Sequence, residues 1–186
     1  MVTPISSVAL KSRLETMIVA VHFEDGAKVN EGDLLFTLDS RQIDAQIEQA
    51  EGVLAKDRAQ LEGAQRDVRR YGELIGKGAT TQVSLDNAKT AADILIGTIK
   101  ADQSALDNLK VQKSYTIIRA PFSGRISAAN VKVGNFVRPA YTAPLATINQ
   151  MAPVDVAFAI PQRVLGDLRE ALAAGATSVI ATIPNS

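Results

Sequence analysis

DSRQIDAQIEQAEGVLAKDRAQLEGAQRDVRRYGELIGKGATTQVSLDNAKTAADILIGTIKADQSALDNLKVQKS (residues 39–114) contains no Pro and repeats its apolar residues in alternating steps of four and three. Ile43, Ile47, Ala50, Leu54, Leu61, Ala64, Val68, Tyr71 and Ile75 form one run; Leu85, Ala88, Ala92, Leu95, Ile99, Leu106 and Leu109 form a second. A 3.5-residue period held over about four to five heptads keeps one apolar stripe facing a partner helix, the signature of a coiled coil. The missed step is Asp57 in the first run and Asp102 in the second. Between the runs, the glycines of Gly76-Lys77-Gly78-Ala79-Thr80 stop a helix, and so short a loop makes the two helices antiparallel neighbours. Asp39 or Ser40 can cap the first helix, and Thr80 or Thr81 the second. Each arm, about 35 residues long, reaches about 50 Å at about 1.5 Å per residue.

Gly52, Gly63 and Gly72 fall outside the apolar seam of the first arm and Gly97 outside that of the second. Each costs about 0.5–1 kcal/mol relative to Ala, as tolerated surface drift or as room for a neighbouring helix. Folding the hairpin about its glycine loop brings Asp57 and Asp102 into the same or adjacent layers. Because a two-stranded coil leaves polar seam groups partly wet, the expectation is solvation, or pairing with Lys56 or Lys100, rather than a paired acid site.

The flanks have a different texture. Before the hairpin, Leu14 to Phe23 is rich in Ile, Val and Phe, Gly26 and Gly32 sit in turn-like settings, and Leu34 to Leu38 reads as a strand. After it, Tyr115 to Ile118 reads as a strand, Ala120 to Ile126 as a turn into the next, and Leu145 to Ile148 as a last one. From Pro153 the pattern shifts again: a strand over Val154 to Ile160, an amphipathic helix over Gln162 to Ala174, and a strand opening at Ser178 to Ile183. One strand, one helix and half a hairpin cannot close a sheet, so this last module reads as cut off. With no leader pattern in Met1-Val2-Thr3-Pro4, the expectation is that the chain is a fragment.

Composition narrows the function. Aromatics are only 4% of residues, so the core must be aliphatic, which suits coiled coils and small sandwiches better than a deep ligand pocket. Twenty basic and 20 acidic residues balance, which removes the general electrostatic reason to expect nucleic acid. The absence of Cys excludes disulfides and thiol chemistry, and the single His22 cannot supply a multi-histidine metal site. No stretch approaches about 18 consecutive apolar residues, so no membrane-spanning helix is expected. No convergent acid, base and nucleophile set is visible, so no catalytic, cofactor or metal residue is assigned and the chain is read as a non-enzyme.

The segments VHFEDGAKVNEGDLL (21–35) and IRAPFSGRI (118–126), the latter followed by Val133-Gly134-Asn135, resemble the two halves of a biotinyl/lipoyl domain. In this order, on both sides of a heptad hairpin, they resemble the periplasmic adaptor, or membrane-fusion, proteins of the HlyD-like family. The resemblance covers nearly the whole chain. It implies an α+β fold: an antiparallel coiled-coil hairpin (39–114) inserted into a split lipoyl/biotinyl-like β-sandwich (5–38 plus 115–148), followed by the truncated start of a β-barrel domain (152–186). It also implies a function: linking an inner-membrane efflux transporter to an outer-membrane TolC-like channel, as a ring of about six copies. The expected place is the periplasm, attached to the inner membrane. Adaptors of resistance-nodulation-division (RND) drug pumps are the nearest likeness, with adaptors of ABC or major-facilitator exporters as the alternative. A biotin or lipoate carrier is a further alternative, but the short turn that carries the modified Lys in carriers is here replaced by the hairpin, and Lys28 is not at the attachment position.

Near the tip, the family's drug-pump members show an Arg, a Leu four residues on and a Ser seven further. Arg70, Leu74 and Thr81 match that spacing, with Thr in place of Ser, and Asp86 matches an acidic position that follows. The resemblance implies that Arg70, Leu74 and Thr81 contact the outer-membrane channel; otherwise Arg70 is a solvated charge, Leu74 covers the loop and Thr81 is an N-cap. Limited proteolysis is expected to cut within 39–114 first and to leave a resistant β-core holding both flanks. Flanks released separately would contradict the split domain.

Overall fold

The computed structural model describes residues 2–156, 159, 162–173 and 175. They fall into two compact units, residues 6–150 and residues 2–5 with the described part of 151–175. In the larger unit the strands are β2 (Ser7–Leu10), β3 (Thr16–Val21), β4 (Lys28–Val29), β5 (Leu34–Leu38), β6 (Ile117–Arg119), β7 (Gly124–Ile126), β8 (Phe136–Val137) and β9 (Ala146–Asn149). The helices α1 (Arg41–Gly76) and α2 (Gln82–Ser114) lie between β5 and β6. In the smaller unit β1 (Val2–Pro4) pairs antiparallel with β10 (Val154–Val156), and a 3-10 turn at Gln162–Val164 leads into α3 (Leu165–Ala173). The expected strand over Ser178 to Ile183 lies outside the described residues, as do Ala157, Phe158, Ile160 and Ala174.

The eight strands of the larger unit form two four-stranded sheets, in the orders β2-β9-β7-β4 and β6-β5-β3-β8. Each sheet takes two strands from before the hairpin and two from after it. The halves correspond under a pseudo-two-fold: β3 and β5 are the inner strands of one sheet as β7 and β9 are of the other. The aliphatic pattern repeats with it. Ile18, Val29, Leu35 and Leu38 in the first half match Ile126, Val137, Leu145 and Ile148 in the second, and all are buried. They meet in one core with Phe36 and Ala146, onto which Phe23 packs edge-on at 5.2 Å from the Phe36 ring. Each large aliphatic side chain buried there contributes about 1.5–3 kcal/mol. Neither half has a core alone, since each sheet needs strands from both.

The conspicuous string around Ala120-Pro121 works as a clamp between the halves. Gly32 N–H donates to the Ala120 carbonyl (2.8 Å), and Ala120 N–H donates to the Asp33 carbonyl (2.9 Å). Arg119 Nη1 reaches the Gly32 carbonyl (2.9 Å), Arg125 Nε the Gly26 carbonyl (2.7 Å), and Glu31 N–H donates to Ser123 Oγ (2.9 Å). Gly124 lies where the sheet backbone runs closest. A Cβ there would collide with the Asn149 carbonyl oxygen and come within 3.0 Å of the Asn149 carbonyl carbon and of Ile148 Cγ2.

The hairpin has the two-helix form its periodicity predicts. Every seam position, Asp57 and Asp102 included, is at least partly buried, and Leu54, Asp57, Ala92 and Leu106 are buried outright. Cross-helix contacts set the register: Lys113 Nζ to Asp44 Oδ1 (2.8 Å), Lys110 Nζ to Glu51 Oε1 (3.6 Å) and Arg58 Nη2 to Gln103 Oε1 (3.2 Å). At about 1.5 Å per residue, the 36 residues of α1 span about 54 Å. Among the described residues no helix is long and apolar enough to cross a membrane.

Gly124→Ala is expected to lower stability by about 1–3 kcal/mol, because the neighbour it strikes is backbone that cannot rotate away. Gly97→Ala, whose new Cβ meets open space, is expected to raise helix stability by about 0.5–1 kcal/mol. Thermal unfolding followed by circular dichroism checks both signs.

Candidate functional site: the hairpin tip and seam

The tip is built by ordinary helix-end chemistry. The α1 carbonyls of Leu74 and Ile75 would be orphaned at the C-terminus. They are taken by Ala79 N–H (2.9 Å, to Leu74) and Gly78 N–H (2.9 Å, to Ile75). Gly78 adopts φ +67°, the left-handed conformation this closure needs and a β-carbon disfavours. Thr81 is the N-cap of α2: its Oγ1 accepts from Ser84 N–H at 3.3 Å. At the other end, Ser40 makes no side-chain cap to the backbone; Asp39 Oδ1 accepts from Arg41 N–H (3.0 Å) instead. The Arg41 guanidinium and that N–H together hold the Asp39 carboxyl down at about 2.

Arg70 and Leu74 lie one turn apart on α1, and Thr81 starts α2 across the loop. Among the described residues no hydrogen bond or ion pair joins the three. Arg70 is exposed and held from within its own helix: Nη2 is 2.8 Å from Asp67 Oδ1, and its guanidinium carbon stands 5.5 Å from the Tyr71 ring centre. Leu74 is partly buried. Asp86 accepts from Gln82 Nε2 (3.0 Å). Val83, outside the heptad seam and 66% exposed, is an apolar tip residue that seam-based reading passed over. An open groove of about 330 Å³ runs beside this end, lined by Ala64, Asp67, Tyr71, Ser84, Asn87, Ala88 and Ala91.

Halfway along the hairpin Asp57 pairs with Lys56, one of the expected partners, whose Nζ lies 3.0 Å from its Oδ1; but Asp57 is not wet, keeping 5% of its surface. Lys100 makes no ion pair with either aspartate. Instead the two carboxyl groups face each other across the seam. The reason is the antiparallel register, which stacks both breaks in the apolar pattern in one layer, beside the buried Leu54 and Leu106 on its root side.

Elsewhere, His22 Nε2 sits 2.8 Å from Thr37 Oγ1, an arrangement within one sheet. Among the described residues no group of three or more His, Cys, Asp or Glu could hold a metal ion.

A long two-helix coil rooted between the interleaved halves of a β-sandwich defines the class of membrane fusion proteins with a barrel-sandwich hybrid. The chain belongs to the RND MFP barrel-sandwich hybrid domain family, whose model matches residues 6–149. It is 40% identical over 157 residues to the multidrug resistance protein MdtA of Yersinia enterocolitica, covering 84% of this chain and 35% of that protein. It is 39% identical over 167 residues to MdtA of Proteus mirabilis, covering 90% of this chain and 41% of that one. The chain thus spans well under half the length of these relatives. Among solved structures it is similar to MacA from Actinobacillus actinomycetemcomitans, with a TM-score of 0.69 at 23% identity over 82% of this chain and 52% of that one. ZneB from Cupriavidus metallidurans matches with a TM-score of 0.54 at 25% identity, over 83% and 47%.

Thr81→Ala is expected to cost about 1 kcal/mol of helix stability through the lost N-cap. Thr81→Ser should retain it, and chemical denaturation of the two variants separates the outcomes.

Proposed function

We propose that this chain is the hairpin-bearing part of a periplasmic adaptor that joins an inner-membrane efflux transporter of the RND type to an outer-membrane channel of the TolC type. The observation that carries the reading is the hairpin of about 50 Å, anchored at one end in a rigid sandwich and ending in an exposed, tightly capped tip. The family, and relatives that carry the name multidrug resistance protein, support drug or solute export. The barrel-like role of β1, β10 and α3, as the start of a further domain, belongs to the same proposal.

The mechanism is mechanical rather than chemical. A head-to-tail interface whose rotation closes makes a ring, and about six copies side by side would set the sandwiches as that ring and the hairpins as staves. Such a tube seals a path between two membranes without bond chemistry. At its far end Arg70 offers an exposed guanidinium, Leu74 an apolar contact and Thr81 a hydroxyl that can donate while it caps its helix. Val83 and the neighbouring groove add apolar area for a partner helix. Polar contacts of this kind, exposed and screened, are individually weak, so the joint is reversible and its strength comes from the number of copies.

Arg70→Asp and Leu74→Asp, each in the full-length protein, are expected to abolish drug resistance while helical content by circular dichroism stays unchanged. Resistance at the wild-type level in both variants would overturn the tip assignment.

A further inference from the structure

Buried carboxylates need partners, and the middle of the hairpin holds one more than its cations can balance. Asp57 is 5% exposed in a seam that is apolar except for Asp102. From α1, Lys56 is its ion-pair partner at 3.0 Å, and the adjacent Arg58 is turned to the neutral amide of Gln103. From α2, the titratable group facing it is Asp102; Lys100 makes no ion pair there, and Gln103 is engaged with Asp107 at 3.2 Å. Asp102 Oδ2 is buried and receives no donor among the described residues. One cation for two facing carboxylates leaves a net negative charge in a poorly hydrated place. A single proton held between the carboxyl groups removes that charge and supplies the missing donor.

We propose that Asp57 and Asp102 share one proton and act as a clasp between the arms of the hairpin, closed when the proton is held and released when it leaves. Asp57 is the carboxylate that stays ionised, held below the usual aspartate range first by the Lys56 hydrogen bond. Asp102 is the proton holder, raised first by the hydrogen bond to Asp57, then by burial and by the Asp57 charge. The sign of the pH dependence follows. Above the ordinary aspartate value the unfolded chain has lost the Asp102 proton while the folded hairpin keeps it, so hairpin stability falls as pH rises toward the raised value. Asp57 contributes oppositely: its share is lost only as pH falls below the ordinary value. The clasp is therefore tightest in mildly acidic solution and loosens on alkalinisation. It lies near the middle of both arms, where loosening alters the stiffness of the rod between root and tip. The inference uses the seam alone and stands apart from the adaptor reading.

The test is hydrogen exchange of the hairpin amides near residues 57 and 102, followed from the ordinary aspartate range, about pH 4, up to about pH 8 and corrected for intrinsic exchange at each pH. In the wild-type chain the local opening constant is expected to rise with pH across the Asp102 ionisation, with a slope of at most about tenfold per unit, the limit for one proton. In Asp102→Asn, a neutral mimic of the protonated acid, the slope should vanish while sandwich amides exchange as before. Should that variant not fold, carboxyl carbon NMR of the wild-type chain decides: one of the two resonances is expected to titrate above the usual aspartate range and the other below it. A wild-type opening constant that does not change with pH, an equal slope in Asp102→Asn, or two aspartates titrating in the ordinary range would overturn the clasp.

Discussion

Leu38 N–H donates to the Thr116 carbonyl at 2.8 Å, and just beyond those residues both chain segments turn from strand to helix. β5 and β6 are antiparallel neighbours, paired through Thr37 with Ile117 and Phe36 with Ile118. The helices that extend them therefore start side by side and point in opposite chain directions. Asp39 N–H tied to the Met17 carbonyl (2.9 Å) and Thr16 Oγ1 donating to the Asp39 carbonyl (2.9 Å) fasten the exit to β3. Arg13 stands 5.0 Å over the Tyr115 ring at the re-entry. Without this root, two arms with so narrow a seam would be held together by little apolar area, and hinging at the base would cost little.

The root in turn depends on the interleaving of the halves. Because each sheet draws on strands from both sides of the hairpin, the core of Ile18, Leu35, Phe36, Ile126, Val137 and Ile148 cannot form until the chain has travelled out along α1 and back along α2. Closing a loop of that length costs entropy that grows only slowly with length, and the preformed hairpin brings its own ends together. Rod and sandwich thus support one another: the rod aligns the halves, and the halves splay neither arm.

Much of this was legible in the residues. The seam Ile43, Ile47, Ala50, Leu54 through Leu109 follows from a 3.5-residue period, which few other structures can satisfy, and Gly76 and Gly78 mark the reversal. The string from Arg119 to Ile126 pointed to the split sandwich, and the structure supplies its physical content as loop-to-loop hydrogen bonds. Other features were not legible. Val2–Pro4 is too short, and contains a Pro, to announce a strand; it becomes one only because Val154–Val156 offers an edge. The strand expected from Tyr115 begins at Ile117, because Tyr115 N–H still follows the helix, donating to the Gln112 carbonyl at 3.0 Å.

The tip and the seam divide the same way. Thr81 as a cap is a local matter and could be read from its place before the second heptad run. Val83 as an exposed apolar residue could be found only by asking which apolar residues the seam leaves out. Local order along the chain thus determined two heptad helices, a glycine reversal and β-segments on either side, because helix period, capping and turn formation depend on residues a few positions apart. Tertiary structure alone decided which strands share a sheet, how closely Gly124 passes the Asn149 backbone, and that Asp57 is buried in the seam beside Asp102. Those outcomes depend on register between segments far apart in the chain, and a shift of one turn between the arms would set each aspartate against an aliphatic seam residue instead.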